Sequence, residues 1–149
     1  MLKMLIGSYS GILSPKRRTA VPKKFLTDLG NTFIIAKWYE GCLVIVGGNL
    51  WEALLERVSP KGSVVTGPVR DTDRFILGSA FEVAPDAQGR IIIPGALASY
   101  ANLSAKIVFL GLGDRVEVWD EEVWRRREAE IASHAGQLLE KLAQKNDNR

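Results

Sequence analysis

Asp86-Ala-Gln-Gly-Arg90-Ile-Ile-Ile-Pro94 decides how this chain is read, because it has a double. Upstream by 72 positions stands Ser14-Pro-Lys-Arg-Arg18-Thr-Ala-Val-Pro22, with arginines and prolines in register. The match extends outward from both segments. Phe25, Leu26 and Leu29 fall on Leu97, Ala98 and Ala101. Glu40 to Val46 falls on Gly113 to Trp119 at offset 73, and Trp51 falls on Trp124 at the same offset. Two copies are too few for a solenoid, so the repeat predicts a pseudo-symmetric closed unit.

Each copy reads as strand, turn, strand, short helix, hairpin, helix. Asp86 and Gly89 suit the ends of a type I turn, with Gly89 able to take the left-handed conformation that follows it. Arg90 then opens a return strand, Arg90 to Ile93, and Pro94 fits the first turn of a helix. Leu97, Ala98 and Ala101 mark that helix's buried face. Pro22 plays the same part in the first copy, where Gly30 is the helix stop. Arg17 replaces the turn glycine and Ser14 the aspartate, so either the first turn differs or it carries strain. The runs Phe33 to Ala36 and Leu43 to Val46, and Ile107 to Leu110 and Val116 to Trp119, read as two hairpins. Asp71 to Leu77 reads as a short helix capped by Asp71. Asp120 is the N-cap of a long helix reaching about Gln144, with Lys145 to Arg149 frayed. Its stripe of Trp124, Ile131, Leu138 and Leu142 packs either on its own domain or on a neighbouring subunit. The divisions are thus 1–58, first repeat; 59–77, linker with short helix; 78–119, second repeat; and 120–149, C-terminal helix and tail.

Bulk properties exclude several classes. The 149 residues are 46% hydrophobic and 25% charged, ordinary for a globular chain that needs no disulfide or metal to fold. One cysteine, Cys42, and one histidine, His134, cannot build a usual zinc site. No apolar run is long enough to span a bilayer, and Met1 to Ile6 reads as a first strand rather than a signal peptide. The expectation is an intracellular protein with no cofactor, no small-molecule substrate and no membrane partner. Net charge is +3 and unevenly spread. Residues 1–58 hold eight Lys/Arg against four Asp/Glu (net +4), and residues 78–149 hold nine against eleven (net −2). Lys16, Arg17, Arg18, Lys23 and Lys24 form an acid-free basic run that points to a polyanion.

An arginine just past a hairpin turn stands on a rigid protrusion. There a guanidinium can grip phosphates or read the N7 and O6 of guanine, and a two-stranded ribbon fits the major groove. Lys23 and Lys24, at a helix start, suit phosphate contacts. Arg90 could instead be spent on Asp86. Enzyme readings have no support: His134 lacks a nearby nucleophile motif, and Gly111-Leu-Gly113 lacks the context of a dinucleotide site. Cys42 and the four tryptophans read as core.

The second motif resembles the Asp-x-x-Gly-Arg motif of the MraZ family, part of the AbrB-like superfamily. The resemblance covers nearly the whole chain, including Leu5-Ile6-Gly7, Glu40-Gly41-Cys42-Leu43 and Gly111 to Asp120. It implies a β-rich α+β fold: a pseudo-two-fold swapped-hairpin AbrB-like barrel from two tandem repeats, with a long C-terminal helix. It implies a homo-oligomeric ring, such as an octamer or dodecamer, in the cytoplasm and on the nucleoid. It also implies a transcription factor on the bacterial division and cell-wall gene cluster, binding promoter direct repeats in double-stranded DNA. The family's DNA-contacting arginines map onto Arg18 and Arg90. With Lys16, Arg17, Lys23, Lys24 and Gln88 they make the candidate DNA-binding set. The alternative is an antitoxin-like or other protein-interaction module acting through the C-terminal helix.

Overall fold

The structure, a computed structural model, describes residues 4–58 and 66–147. The first repeat runs β1 (Leu5–Ile12), β2 (Arg18–Ala20), α1 (Lys23–Leu29), β3 (Phe33–Lys37), β4 (Leu43–Gly47) and α2 (Gly48–Val58). A helix, α3 (Gly67–Ile76), joins it to the second repeat. That repeat runs β5 (Phe81–Val83), β6 (Arg90–Ile92), α4 (Gly95–Tyr100), β7 (Lys106–Gly113), β8 (Val116–Asp120) and α5 (Glu121–Asp147). The duplicated element order is the one the sequence predicts.

The strands of the two repeats interleave. An antiparallel six-stranded sheet has the order β1-β7-β8-β4-β3-β5, and β2 pairs with β6 as a separate ribbon. Each repeat's first strand lies on the other repeat's third: β1 on β7, and β5 on β3. The registers carry the pseudo-two-fold. In the ribbon Thr19 faces Ile91, its own counterpart, and in the sheet Val44 faces Glu117, its own counterpart at offset 73. The pairings leave β1 and β5 as sheet edges, so the closed unit expected from the repeat is an open sheet plus a ribbon.

Period-two alternation divides the core in two. Phe33, Ile35, Leu43, Ile45, Phe109, Val116 and Val118 pack on one face with Phe25, Ile91, Ile93 and Leu97 from the ribbon, α1 and α4. Ala36, Val44, Val46 and Trp119 face the other way, against Leu54, Ile76, Val123 and Trp124 of α2, α3 and α5. Because both its faces are covered, β4 is buried at all five positions. Trp38, Trp119 and Cys42 are buried in this second cluster, as expected of core residues, while Trp51 and Trp124 are half-buried against it.

Several boundaries differ from expectation, the first being the opening strand, read over Met1 to Ile6 and found at Leu5–Ile12. Helix α3 begins at Gly67, with Pro68 in its first turn, so Asp71 is interior and pairs with Arg74 at 2.8 Å instead of capping. Residues 59–65 of the expected linker, like Met1 to Lys3 and the last two residues, lie outside the described residues. The second hairpin is tighter than read: β7 runs through to Gly113, and the Leu112 N–H donates to the Arg115 carbonyl at 2.8 Å. The end of α5 is Asp147, past the expected Gln144. Asp120 does act as its cap, accepting from the Val123 N–H at 3.4 Å while also holding the Ser104 hydroxyl at 2.6 Å. Burial works against its carboxylate, but these donors keep it below the usual range.

Candidate nucleic-acid interface

The two turns close with one geometry despite their different sequences. In the second, the Asp86 N–H donates to the Arg90 carbonyl at 2.9 Å and the Gly89 N–H to the Asp86 carbonyl at 2.9 Å. The Arg90 N–H donates to Asp86 Oδ1 at 3.0 Å. In the first, Ser14 and Arg18 repeat the first bond at 2.9 Å, and Arg17 and Ser14 repeat the second at 2.8 Å. The Ser14 hydroxyl replaces the carboxylate, accepting from the Arg18 N–H at 3.1 Å. Arg17 takes the left-handed conformation of its glycine counterpart, φ 62° against 77° for Gly89. The turn is therefore kept, and the strain is borne by Arg17, of order 1 kcal/mol.

What holds Arg17 is the other repeat. Its carbonyl accepts from the Ile93 N–H at 2.8 Å, and its Nε donates to the Ile93 carbonyl at 3.0 Å. The guanidinium lies against Gly95, where a Cβ would sit 3.6 Å from Cζ. The mirror contact keeps only the backbone half: the Gly89 carbonyl accepts from the Val21 N–H at 3.0 Å. A Cβ on Gly89 would come within 2.7 Å of Leu26 Cδ1. Bulk is traded between the copies. Leu26 fills the space beside Gly89, whereas Arg17 lies beside the small Gly95 and Ala98, which replaces Leu26 in the second copy.

The ribbon register merges the two expected protrusions into one patch. Thr19 and Ile91 point inward and are buried, so Arg18, Ala20, Arg90 and Ile92 share the outward face. Arg18 stands opposite Ile92 and Arg90 opposite Ala20. The arginines are diagonal neighbours, with Cα atoms about 7–8 Å apart. Their surroundings differ. Arg90 Nε donates to Asp86 Oδ2 at 3.0 Å, and its Nη2 donates to Gln88 Oε1 at 2.5 Å. The Arg90 N–H, foremost, and the guanidinium hold the Asp86 carboxyl below its usual range. Arg18, Lys16, Lys23 and Lys24 are exposed and form no ion pair among the described residues.

Of the seven sequence-predicted residues, the ribbon and its flanking turns bring together Lys16, Arg18, Gln88 and Arg90, with Lys23 and Lys24 opening the adjacent α1. Arg17 is present but turned onto Ile93 through its Nε. The reading missed Ile92. It is 51% exposed between the arginines, and period-two counting from the buried Ile91 would have found it. A cleft of about 680 Å³ beside the first turn includes Ser14, Ser99 and Ser104 in its lining, with Arg17 its one titratable side chain. Elsewhere, Glu117 is half-buried and accepts from Trp119 Nε1 at 2.9 Å. Burial raises its carboxyl above the usual range and pushes the Cys42 thiol up. No group of three metal-ligating side chains, and no helix long and apolar enough to cross a membrane, occurs among the described residues.

Comparison with known proteins matches this sequence over nearly its whole length. A "Transcriptional regulator MraZ" of Leuconostoc mesenteroides is 38% identical over 141 residues, covering 93% of this chain and 96% of the relative. The chain belongs to the MraZ family. A family model described as "MraZ protein, putative antitoxin-like" matches residues 76–146. MraZ regulators of Leuconostoc citreum and Caldicellulosiruptor saccharolyticus are 36% and 37% identical, covering 93% and 95% of this chain and 96% of each relative. The match to full-length MraZ relatives spans both repeats, ribbon and turns included.

Proposed function

We propose that the chain is a sequence-specific DNA-binding transcriptional regulator that lays the β2–β6 ribbon in the major groove. The observation that carries this is the shared outward face of Arg18 and Arg90 on a two-stranded ribbon, flanked by exposed lysines that form no ion pair among the described residues. A ribbon of that width fits the groove, and arginine is the side chain that reads guanine N7 and O6. Arg90, neutralised by Asp86 and braced by Gln88, is prearranged for a base edge. Arg18, Lys16, Lys23 and Lys24 supply charge for the backbone. The exchange of first strands between repeats supports the swapped-hairpin arrangement of the AbrB-like superfamily. The names of the MraZ relatives support regulation of transcription.

Resemblance to the family extends the reading. The target is the promoter of the bacterial division and cell-wall gene cluster. Several subunits of a ring, such as an octamer or dodecamer, each meet one direct repeat, on the nucleoid in the cytoplasm. Arg18→Ala combined with Arg90→Ala abolishes binding to the region upstream of the chain's own gene while leaving the fold intact. Unchanged gel-shift affinity in that double variant refutes the assignment. A second reading, an antitoxin-like interaction module, is favoured by one observation, the exposed apolar face of α5. Recovery of a stoichiometric small partner protein, with no DNA retained, would select it.

A further inference from the structure

Helix α5 leaves the body of the protein after Arg127, which pairs with Glu40 at 3.0 Å. From Glu128 to Asn146 every side chain is exposed except Ala135, which is half-buried. This projecting stretch is about 30 Å long at 1.5 Å per residue. Most helical stability in proteins comes from packing an amphipathic face against a partner. This stretch carries a continuous stripe at alternating spacings of four and three: Ile131, Ala135, Leu138 and Leu142, with Leu139 beside it. Ile131 is 42% exposed, Leu138 48%, Leu142 60% and Leu139 68%. The stripe alone does not say what covers it. Its ends do. Extended by the same spacing, it begins at Glu128 and finishes at Lys145, an acid at one end and a base at the other, neither ion-paired among the described residues.

We infer that the α5 stripe pairs with the same stripe of a second copy of this chain, antiparallel and about a two-fold axis. In that register Ile131 meets the partner's Leu142, and Ala135 meets the partner's Leu138. Glu128 meets the partner's Lys145 at each end. Glu130 and Lys141, on the flank, are likewise brought toward opposite charge. A parallel pair would set Glu128 on Glu128 and Lys145 on Lys145, so charge selects the antiparallel arrangement. Small Ala135 against Leu138 lets the two helices come close at the centre. The contact is isologous and limits itself to two chains, unlike the head-to-tail contacts that close a ring. It leaves DNA contact free, because α5 packs on the sheet face opposite the ribbon.

Glu128 and Lys145 lie about 25 Å apart on one helix. They cannot touch within a chain, and a charge-swap cycle on the full-length protein tests the pairing directly. Sedimentation of wild type, Leu138→Glu, Glu128→Lys, Lys145→Glu and the double reversal reads the assembly, with circular dichroism checking the fold. Leu138→Glu lowers the assembly mass. Each single reversal weakens pairing about tenfold, since two exposed ion pairs become like-charge contacts. The double reversal restores it. An unchanged mass for Leu138→Glu overturns the proposal, as does a double reversal no tighter than the singles. Each variant keeps wild-type affinity for a duplex with one repeat. Failure of wild type to bind that duplex would count against the DNA reading alone.

Discussion

Gly89→Ala isolates what the second turn demands of its residue. Gly89 has φ 77°, and an L residue there costs about 1–2 kcal/mol. The added Cβ would also lie 2.7 Å from Leu26 Cδ1, a contact real Cβ atoms do not tolerate. That methyl is the far end of a flexible side chain, so it yields by leaving its rotamer, at about 0.5–1.5 kcal/mol. The sum is a loss of roughly 2–3 kcal/mol, or about 5–10 °C in Tm for a domain of this size. The first turn shows what relief looks like, since Arg17 occupies the same backbone state where small residues face it. Leu26→Ala should therefore rescue part of Gly89→Ala: a double-mutant cycle by urea denaturation should show coupling of about 1 kcal/mol. Destabilisation under about 0.5 kcal/mol, or an additive cycle, would refute the exchange of bulk between the copies.

Arg17→Gly removes the strain of φ 62° and the Nε bond to Ile93 together, so stability should stay within about 1 kcal/mol of wild type by thermal melting. Arg18→Ala should lower the slope of log affinity against log salt by about one, whereas Arg90→Ala should chiefly erode discrimination between operator and unrelated DNA. Binding titrations from 50 to 200 mM salt separate the two, and equal slopes would undo the division of roles. Ile92→Ala should weaken binding to thymine-containing operator but not to the same duplex with uracil, if the exposed side chain meets a thymine methyl. Glu117→Gln should stabilise the protein at pH 7. Burial raises the Glu117 carboxyl in the folded state, so wild-type stability falls as pH rises above the ordinary value of 4.5, and the gain should vanish below about pH 4. Equal melting of the two proteins at pH 7 would contradict this.

The repeat could be read because arginine, proline and glycine each force a local backbone state that survives divergence of everything between them. Gly30 does end α1, and Pro22 and Pro94 do stand at helix starts. Pairing could not be read the same way. Nothing local to Arg18-Thr-Ala20 says that its partner is Arg90-Ile-Ile92 rather than its own upstream strand, so two protrusions were expected where one ribbon exists. The fate of Arg17 was hidden for the same reason. Its identity suggests a cation facing solvent, and only the approach of Ile93, 76 residues away, turns its Nε inward. The α5 stripe was legible as a pattern. That it stays uncovered within one chain follows from where the body ends, near Arg127, which no periodicity encodes.

The ribbon takes one strand from each repeat, so on the proposed reading occupancy of DNA is tied to completion of the whole molecule. Neither repeat holds the ribbon alone: among the described residues β2 pairs only with β6 of the other repeat. A single cut or local melting in either repeat would disassemble the binding surface rather than halve it. On that reading a partly folded chain would lack the surface that sits on an operator, and quality control of the fold becomes quality control of the contact.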